Sequence, residues 1–218
     1  MIWLTVLSVI KVQQFIRPCQ PVASKSPAMG KEWLHELKLD GHRFQIAKDG
    51  RHVRLFGQKG GEWTKHLPHF AEAFRGLPCR SCTLDGYLVL PDADEAADCE
   101  GLSAAIATSQ LEPLFFAFDL LYRDGHDLRP LSLVERKQRL SRLVRRADIR
   151  CLHLVQTFEN GKALLAAAEQ HGLEGVVSKR RNAPYRSGSC RDWRKVRTTA
   201  WRDANRERWR SFARSLTF

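Results

Sequence analysis

From Trp33 onward the chain alternates short apolar runs with turn-forming residues, and helical periodicity is the exception. Trp33, Leu34, Leu37 and Leu39 form an apolar run around Lys38, and Asp40-Gly41 turns the chain back into Phe44-Gln45-Ile46-Ala47. Phe44–Ala47 and Val53–Phe56 flank Asp49-Gly50, a hairpin signal because such turns favour Asp-Gly. Leu67–Phe74 reads as a short helix closed by Gly76, and Thr83–Leu90 as a strand with an internal Asp85-Gly86. An acidic loop follows over residues 91–100, then a helix over Gly101–Ser109. Leu114–Tyr122 is apolar except for Asp119. Buried carboxylates are rare unless paired, so Asp119 is either a site residue or a structural anchor. Ser132-Leu133-Val134-Glu135 fits a capping box opening a helix with Leu140, Leu143 and Val144 on its apolar side. The pattern then predicts a strand over Leu152–Phe158, a helix over Lys162–His171 ended by Gly172, and a strand over Leu173–Lys179. Strands outnumber helices and do not alternate with them regularly. The expected class is α+β, with antiparallel sheets flanked by helices, rather than a doubly wound fold.

Composition narrows the partner more than the fold. With 218 residues, 43% hydrophobic and 28% charged, the chain describes one soluble domain with at most a small appendage. A net charge of +12 points to a polyanion, nucleic acid being the default. Residues 179–218 hold thirteen Lys and Arg against three acids, so that basic end is where the polyanion is expected. Met1–Ile10 is apolar but short, lacks a basic lead and has no cleavage site. It reads as neither signal peptide nor membrane span, so a cytoplasmic protein without a membrane partner is expected. Pro18–Gly30 reads as an extended lead-in. The six cysteines make no disulfide framework, and Cys79-Arg80-Ser81-Cys82 lacks a second pair at zinc spacing, which favours packing.

Neither common phosphate loop is present, so side chains must hold any nucleotide phosphates. Three lysine-bearing segments could do so: Lys38 with Glu36 before it and Asp40-Gly41 after it, Glu174–Arg180, and Trp193–Arg197. Period-two geometry puts Val177 with Lys179 and Lys195 with Arg197. Glu174 suits a Mg²⁺ ligand and Lys179 a phosphate. A lysine is nucleophilic only where burial, neighbouring cations or a metal favour its neutral amine. Taken singly, each segment also reads as a strand ending in solvated charge.

In order, the chain carries Glu-x-Lys-x-Asp-Gly-x-Arg, Leu-Asp-Gly, Phe-Asp-Leu-Leu-x-x-Asp-Gly, Glu-Gly-x-Val-x-Lys-Arg and Trp-x-Lys-x-Arg. The series resembles the nucleotidyltransferase motifs of ATP-dependent DNA ligases, particularly the ligase domain of bacterial end-joining ligases, from about Phe15 to Arg197. The resemblance implies an ATP-grasp-like adenylation domain over residues 31–198, between a lead-in over 1–30 and a basic helix over 199–218. Only 21 residues follow Arg197, too few for the OB-fold barrel that usually follows in such enzymes. The implied chemistry has Lys38 attack the α-phosphate of ATP, with Mg²⁺ or Mn²⁺ present. AMP then passes to the 5′-phosphate of nicked duplex DNA, and the 3′-hydroxyl displaces it. Lys38, Lys179 and Lys195 are the implied catalytic residues. Glu36, Arg43, Phe118, Lys179, Lys195 and Arg197 are implied to bind the nucleotide, with Glu36 accepting from the adenine amino group and Phe118 stacking on the base. Glu174 is implied to hold the metal, Arg43 and Lys59 to reach DNA, and Asp40 to orient the lysine loop. The implied setting is DNA repair or recombination at the nucleoid, with end-joining or repair proteins as further partners.

Three positions depart from the family pattern. Asp85-Gly86-Tyr87 stands where the family has Asp-Gly-Glu, Gln58 where it has a phosphate-contacting arginine, and Arg197 where it has a second lysine. A degenerate ligase that binds DNA or nucleotide without sealing, and an RNA ligase or capping-type nucleotidyltransferase, are the alternatives. In the tail, Trp201, Ala204, Trp209 and Phe212 share one helical face, and Arg202, Arg206, Arg210 and Arg214 another. Docked aromatics would leave Arg202, Arg206 and Arg210 to meet DNA phosphates.

Overall fold

Two sheets pack against each other in the computed structural model, which describes residues 15–91 and 112–205 together with Leu102, Ala104 and Ile106. β1 (Cys19–Ala23) and β2 (Trp33–Lys38) are the edges of the first sheet. β3 (His42–Asp49), β4 (His52–Gly57) and β5 (Ser81–Val89) belong to the second. Between β4 and β5 lie α1 (Pro68–Ala73) and a 3-10 turn over Phe74–Gly76. β6 (Leu114–Arg123), β7 (His126–Asp127) and β8 (Leu152–Leu154) complete the second sheet, with α2 (Leu133–Arg146) between β7 and β8. α3 (Gly161–Gln170) leads to β9 (Gly175–Arg180) and β10 (Gly188–Arg197), the inner strands of the first sheet.

The first sheet runs β1-β10-β9-β2, with β1 parallel to β10 and the other pairs antiparallel. The second runs β4-β3-β5-β6, with β7 antiparallel and β8 parallel along the far edge of β6. Its outer face packs on α1 and α2 through a core of Phe44, Leu55, Phe74, Leu84, Phe115, Leu140 and Leu143. Phe74 and Phe115 meet edge to face at 5.8 Å. Burying each such ring contributes roughly 1.5–3 kcal/mol. A smaller cluster of Cys19, Phe118, Leu121, Val155, Tyr185, Cys190 and Trp193 joins the two sheets. α3 packs on β2 and β9 of the first sheet.

The capping box forms as the sequence predicts: Glu135 N–H donates to Ser132 Oγ (3.3 Å) and Ser132 N–H to Glu135 Oε2 (3.1 Å). The Asp49-Gly50 hairpin also forms, with Gly50 at φ 57°. Asp40-Gly41 does not make a hairpin. β2 pairs with β9, while β3 pairs with β4 and β5, so this turn carries the chain from one sheet to the other. A Cβ on Gly41 would lie 2.8 Å from the Leu88 carbonyl oxygen, which is how closely the crossing hugs β5.

Two further expectations are corrected. The extended lead-in supplies β1, because Cys19 is fully buried beside β10. The strand expected over Leu152–Phe158 stops at Leu154 after one more bond, Val155 N–H to the Ala117 carbonyl (2.9 Å). The chain then crosses to the first sheet, where Phe158 and His35 exchange backbone bonds of 2.8 and 2.9 Å. Met1–Ile10, most of the 91–100 loop and most of Gly101–Ser109 lie outside the described residues, although Leu102, Ala104 and Ile106 are helical. Cys79 and Cys82 are free, like every other described cysteine. Among the described residues no helix is long and apolar enough to cross a membrane.

Candidate active site

Strand register assembles the site. Leu34, Glu36 and Lys38 of β2 stand opposite Lys179, Val177 and Gly175 of β9. Those in turn stand opposite Trp193, Lys195 and Arg197 of β10. Alternate residues share a face, so the three lysine-bearing segments form one patch on the wall turned toward the second sheet. Lys179 Nζ marks that orientation, 4.2 Å from the centre of the Phe118 ring on β6 and 4.0 Å from that of Trp193.

Lys38 ends β2, its partly exposed ammonium bonded to Glu174 Oε2. The other Glu174 oxygen takes Arg197 Nε at 3.0 Å. Gly175 makes this approach possible. Its φ is +154°, and a Cβ there would fall 2.0 Å from the Val196 carbonyl oxygen. Only glycine lets the chain lie so close to β10 directly after Glu174.

Further along the same face, and buried, Lys179 Nζ contacts Glu36 Oε2 at 2.6 Å, and Lys137 of α2 bonds Glu36 Oε1. Burial pushes the Lys179 ammonium below its ordinary pKa, with Glu36 only partly offsetting it. Lys195 is also lowered, by burial and by repulsion from Arg197 and Lys38. An anion brought beside either cation would favour its charged form.

The opposite wall is built on β3, β5 and β6. Arg43 grips Asp85 through two bonds, Nε to Oδ1 at 3.0 Å and Nη2 to Oδ2 at 2.6 Å. Tyr185 Oη donates to Asp85 Oδ2 at 2.7 Å and accepts from Arg43 (3.2 Å) and from Cys19 N–H (2.8 Å). Burial opposes the Arg43 charge, but Asp85 more than offsets it and holds the guanidinium charged. Arg43 is thus held by Asp85, Tyr185 and the Cys19 carbonyl. Tyr87 packs against Phe118 with ring centres 5.1 Å apart, and burial pushes its phenol well above its ordinary pKa. That places a neutral hydroxyl where the family motif has a carboxylate.

Not every expected residue joins this cluster. Asp119 is an anchor: fully buried, it takes both Arg136 Nε (2.8 Å) and Nη2 (3.0 Å) from α2. Gln58 and Lys59 are exposed just after β4. Asp40 Oδ2 accepts from Trp201 Nε1 at 3.1 Å, and Trp201 stacks beneath Arg197 at 4.5 Å. The tail therefore docks its first aromatic on the body, with residues 199–205 helical and Arg202 exposed. Glu169 of α3 caps that helix by accepting from Thr199 and Ala200 N–H, each at 2.8 Å. Arg206 and Arg210 lie outside the described residues.

Sequence reasoning assigned no role to Lys137, nor to Asp85 and Tyr185 as partners of Arg43. The Lys137 signal was available: Arg136 and Lys137 fall between Leu133 and Leu140 on the buried side of α2, where charge needs a partner. For a divalent metal the site offers Glu174, and the described residues hold no group of three or more His, Cys, Asp or Glu. One carboxylate suits Mg²⁺, which usually takes one or two and completes its shell with phosphate oxygens and water.

A family model for the ATP dependent DNA ligase domain matches residues 14–197. The chain is 38% identical over 186 residues to the multifunctional non-homologous end joining protein LigD of Pseudomonas aeruginosa, covering 84% of this chain and 22% of that protein. It is 35% identical over 211 residues to a probable DNA ligase of Sorangium cellulosum, covering 84% and 38% respectively. Among solved structures, a mycobacterial DNA ligase D complexed with ATP and MES matches with a TM-score of 0.66 and 27% identity, over 83% of this chain and 60% of that one. The chain thus spans less than half the length of both curated relatives.

Proposed function

The chain belongs to the ATP-dependent DNA ligase domain family, and on that footing we propose that it seals nicked duplex DNA through AMP carried on Lys38. The observation that supports this best is the shared sheet face of Glu36, Lys38, Lys179, Lys195 and Arg197, with Glu174 bonded to Lys38. Around the cleft Lys38, Lys137, Lys179, Lys195, Arg43 and Arg197 face Glu36, Glu174 and Asp85, so cations outnumber carboxylates. A triphosphate balances that excess.

In this reading Lys38 Nζ, once it has shed a proton, attacks the α-phosphorus of ATP. The bond to the bridging oxygen breaks and pyrophosphate leaves. Lys179, Lys195 and Arg197 neutralise charge developing on the phosphate oxygens, an effect strongest in a water-poor cleft. Glu36 accepts from the adenine amino group and Phe118 gives the base an aromatic face. Arg43, fixed by Asp85, forms the wall behind Phe118. Glu174 is the carboxylate that would hold a Mg²⁺ ion, which would supply further charge neutralisation on the phosphates. The 5′-phosphate of the nick then takes AMP from Lys38, and the 3′-hydroxyl displaces it. Lys59 and the arginines of the tail contact the duplex. The end-joining relative favours DNA repair or recombination at the nucleoid as the setting, with repair proteins as partners.

The test is incubation with α-labelled ATP and Mg²⁺. Label is expected on wild type and not on Lys38→Ala, and chasing with nicked DNA should move it to the nucleic acid. A second reading, a binder arrested after self-adenylation, draws on Tyr87 in place of a carboxylate. It predicts label that no chase releases. Release to RNA alone would identify an RNA ligase.

A further inference from the structure

The buried Lys137 ammonium has three acceptors for its three N–H groups: Glu36 Oε1, the Phe118 carbonyl (3.3 Å) and the Val155 carbonyl (3.3 Å). These come from β2 of the first sheet, β6 of the second and the segment after β8. The gap that admits Lys137 is a property of the fold. β8 covers β6 at Phe115–Ala117, and β7 with Leu128 covers it from Leu121 to Arg123, which leaves Phe118 to Leu120 for α2. Arg136 fills the same gap on Asp119, so two consecutive residues of α2 fix the position of Lys137.

We propose that Lys137 is a specificity-determining residue that holds the Glu36 carboxylate in the orientation that selects adenine over guanine. It occupies one carboxylate oxygen permanently. The other, Oε2, is held by Lys179 at 2.6 Å and becomes available when that ammonium turns to a phosphate. A carboxylate fixed in this way offers the base only an acceptor. The adenine 6-amino group can donate to it, whereas the guanine 6-oxo group sets acceptor against acceptor. Without Lys137 the carboxylate can rotate away, and a 6-oxo purine is no longer rejected. The proposal rests on the reading of Glu36 as the acceptor for the base, and names the residue that makes it selective.

Selectivity is measured as the ratio of dissociation constants for GTP and ATP on a Lys38→Ala background, which separates base recognition from covalent chemistry. Lys137→Met is expected to reduce the preference for ATP by about 10-fold to 100-fold, the range for losing one charge-assisted hydrogen bond. Lys137→Arg is expected to recover most of it. Purine riboside triphosphate, which lacks the amino group, should bind Lys38→Ala about 10-fold to 100-fold more weakly than ATP, but the Lys137→Met double variant nearly as well as ATP. A thermal melt reports folding, and Lys137→Gln replaces the Met variant if that one does not fold. Equal GTP-to-ATP ratios with and without Lys137 would overturn the proposal, even if both affinities fall together. If the ratio depends on Lys137 but wild type takes no label from ATP, the ligase reading fails and the proposal stands.

Discussion

Lys179 and Glu36 meet at 2.6 Å across neighbouring strands, both almost wholly buried, and the other Glu36 oxygen belongs to Lys137. One carboxylate thus compensates two buried ammonium groups. Replacing it strands both charges, and breaking a buried pair from one side costs about 3–5 kcal/mol. Glu36→Gln is therefore expected to lower the urea unfolding midpoint by a corresponding amount, and adding Lys179→Met should recover part of the loss. A single-variant loss below about 1 kcal/mol would show that the pair is not compensating buried charge.

Tyr87 supplies a neutral phenol beside Arg43 and packed on Phe118. Tyr87→Glu adds an oxygen ligand next to the phosphate-binding wall. The Mg²⁺ concentration for half-maximal adenylation is expected to fall by about tenfold, as one further carboxylate does at hard-metal sites. An unchanged or higher requirement would place that carboxylate away from the metal.

Glu169 ties the tail helix to the body, and its bonds to Thr199 and Ala200 N–H hold its carboxyl below the ordinary range. A lowered carboxylate stabilises above its unfolded value and loses that contribution as pH falls through the folded value. Trp201 fluorescence should therefore report tail release as pH drops below the ordinary glutamate range, ahead of unfolding of the body. Glu169→Ala should show the released signal at neutral pH. A Trp201 signal identical in both proteins would contradict the cap.

Local signals and distant pairings differed in how well they could be read. The Ser132 capping box and the Asp49-Gly50 hairpin each close within a few residues, and each formed where the pattern placed it. The parallel pairing of Cys19–Ala23 with β10 and the crossing at Asp40-Gly41 depend on strands far away in sequence, so a turn signal alone suggested a hairpin. The same holds within the site. The ordered motifs picked out Glu36, Lys38, Lys179, Lys195 and Arg197, which the register brings to one face, and Glu174, which bonds Lys38 from just before β9. Nothing in the motif of Arg43 announces its bonds to Asp85, which stands opposite Gln45 on β5. Asp119 is defined as an anchor only by Arg136, which lies 17 residues further along the chain.

The arginines at 202, 206 and 210 carry the proposed electrostatic attraction to the duplex. Replacing all three with Ala should flatten the log–log salt dependence of DNA binding by up to about three units, near one for each phosphate that is no longer neutralised. An unchanged slope would remove the tail from the interface.

The claim that everything else depends on is a phosphoramidate on Lys38. Peptide mass spectrometry of the protein after reaction with ATP and Mg²⁺ tests it most directly. The expected result is an AMP adduct confined to the peptide containing Lys38 and absent from Lys38→Ala. An adduct on any other residue, or none on protein that demonstrably binds ATP, would contradict it.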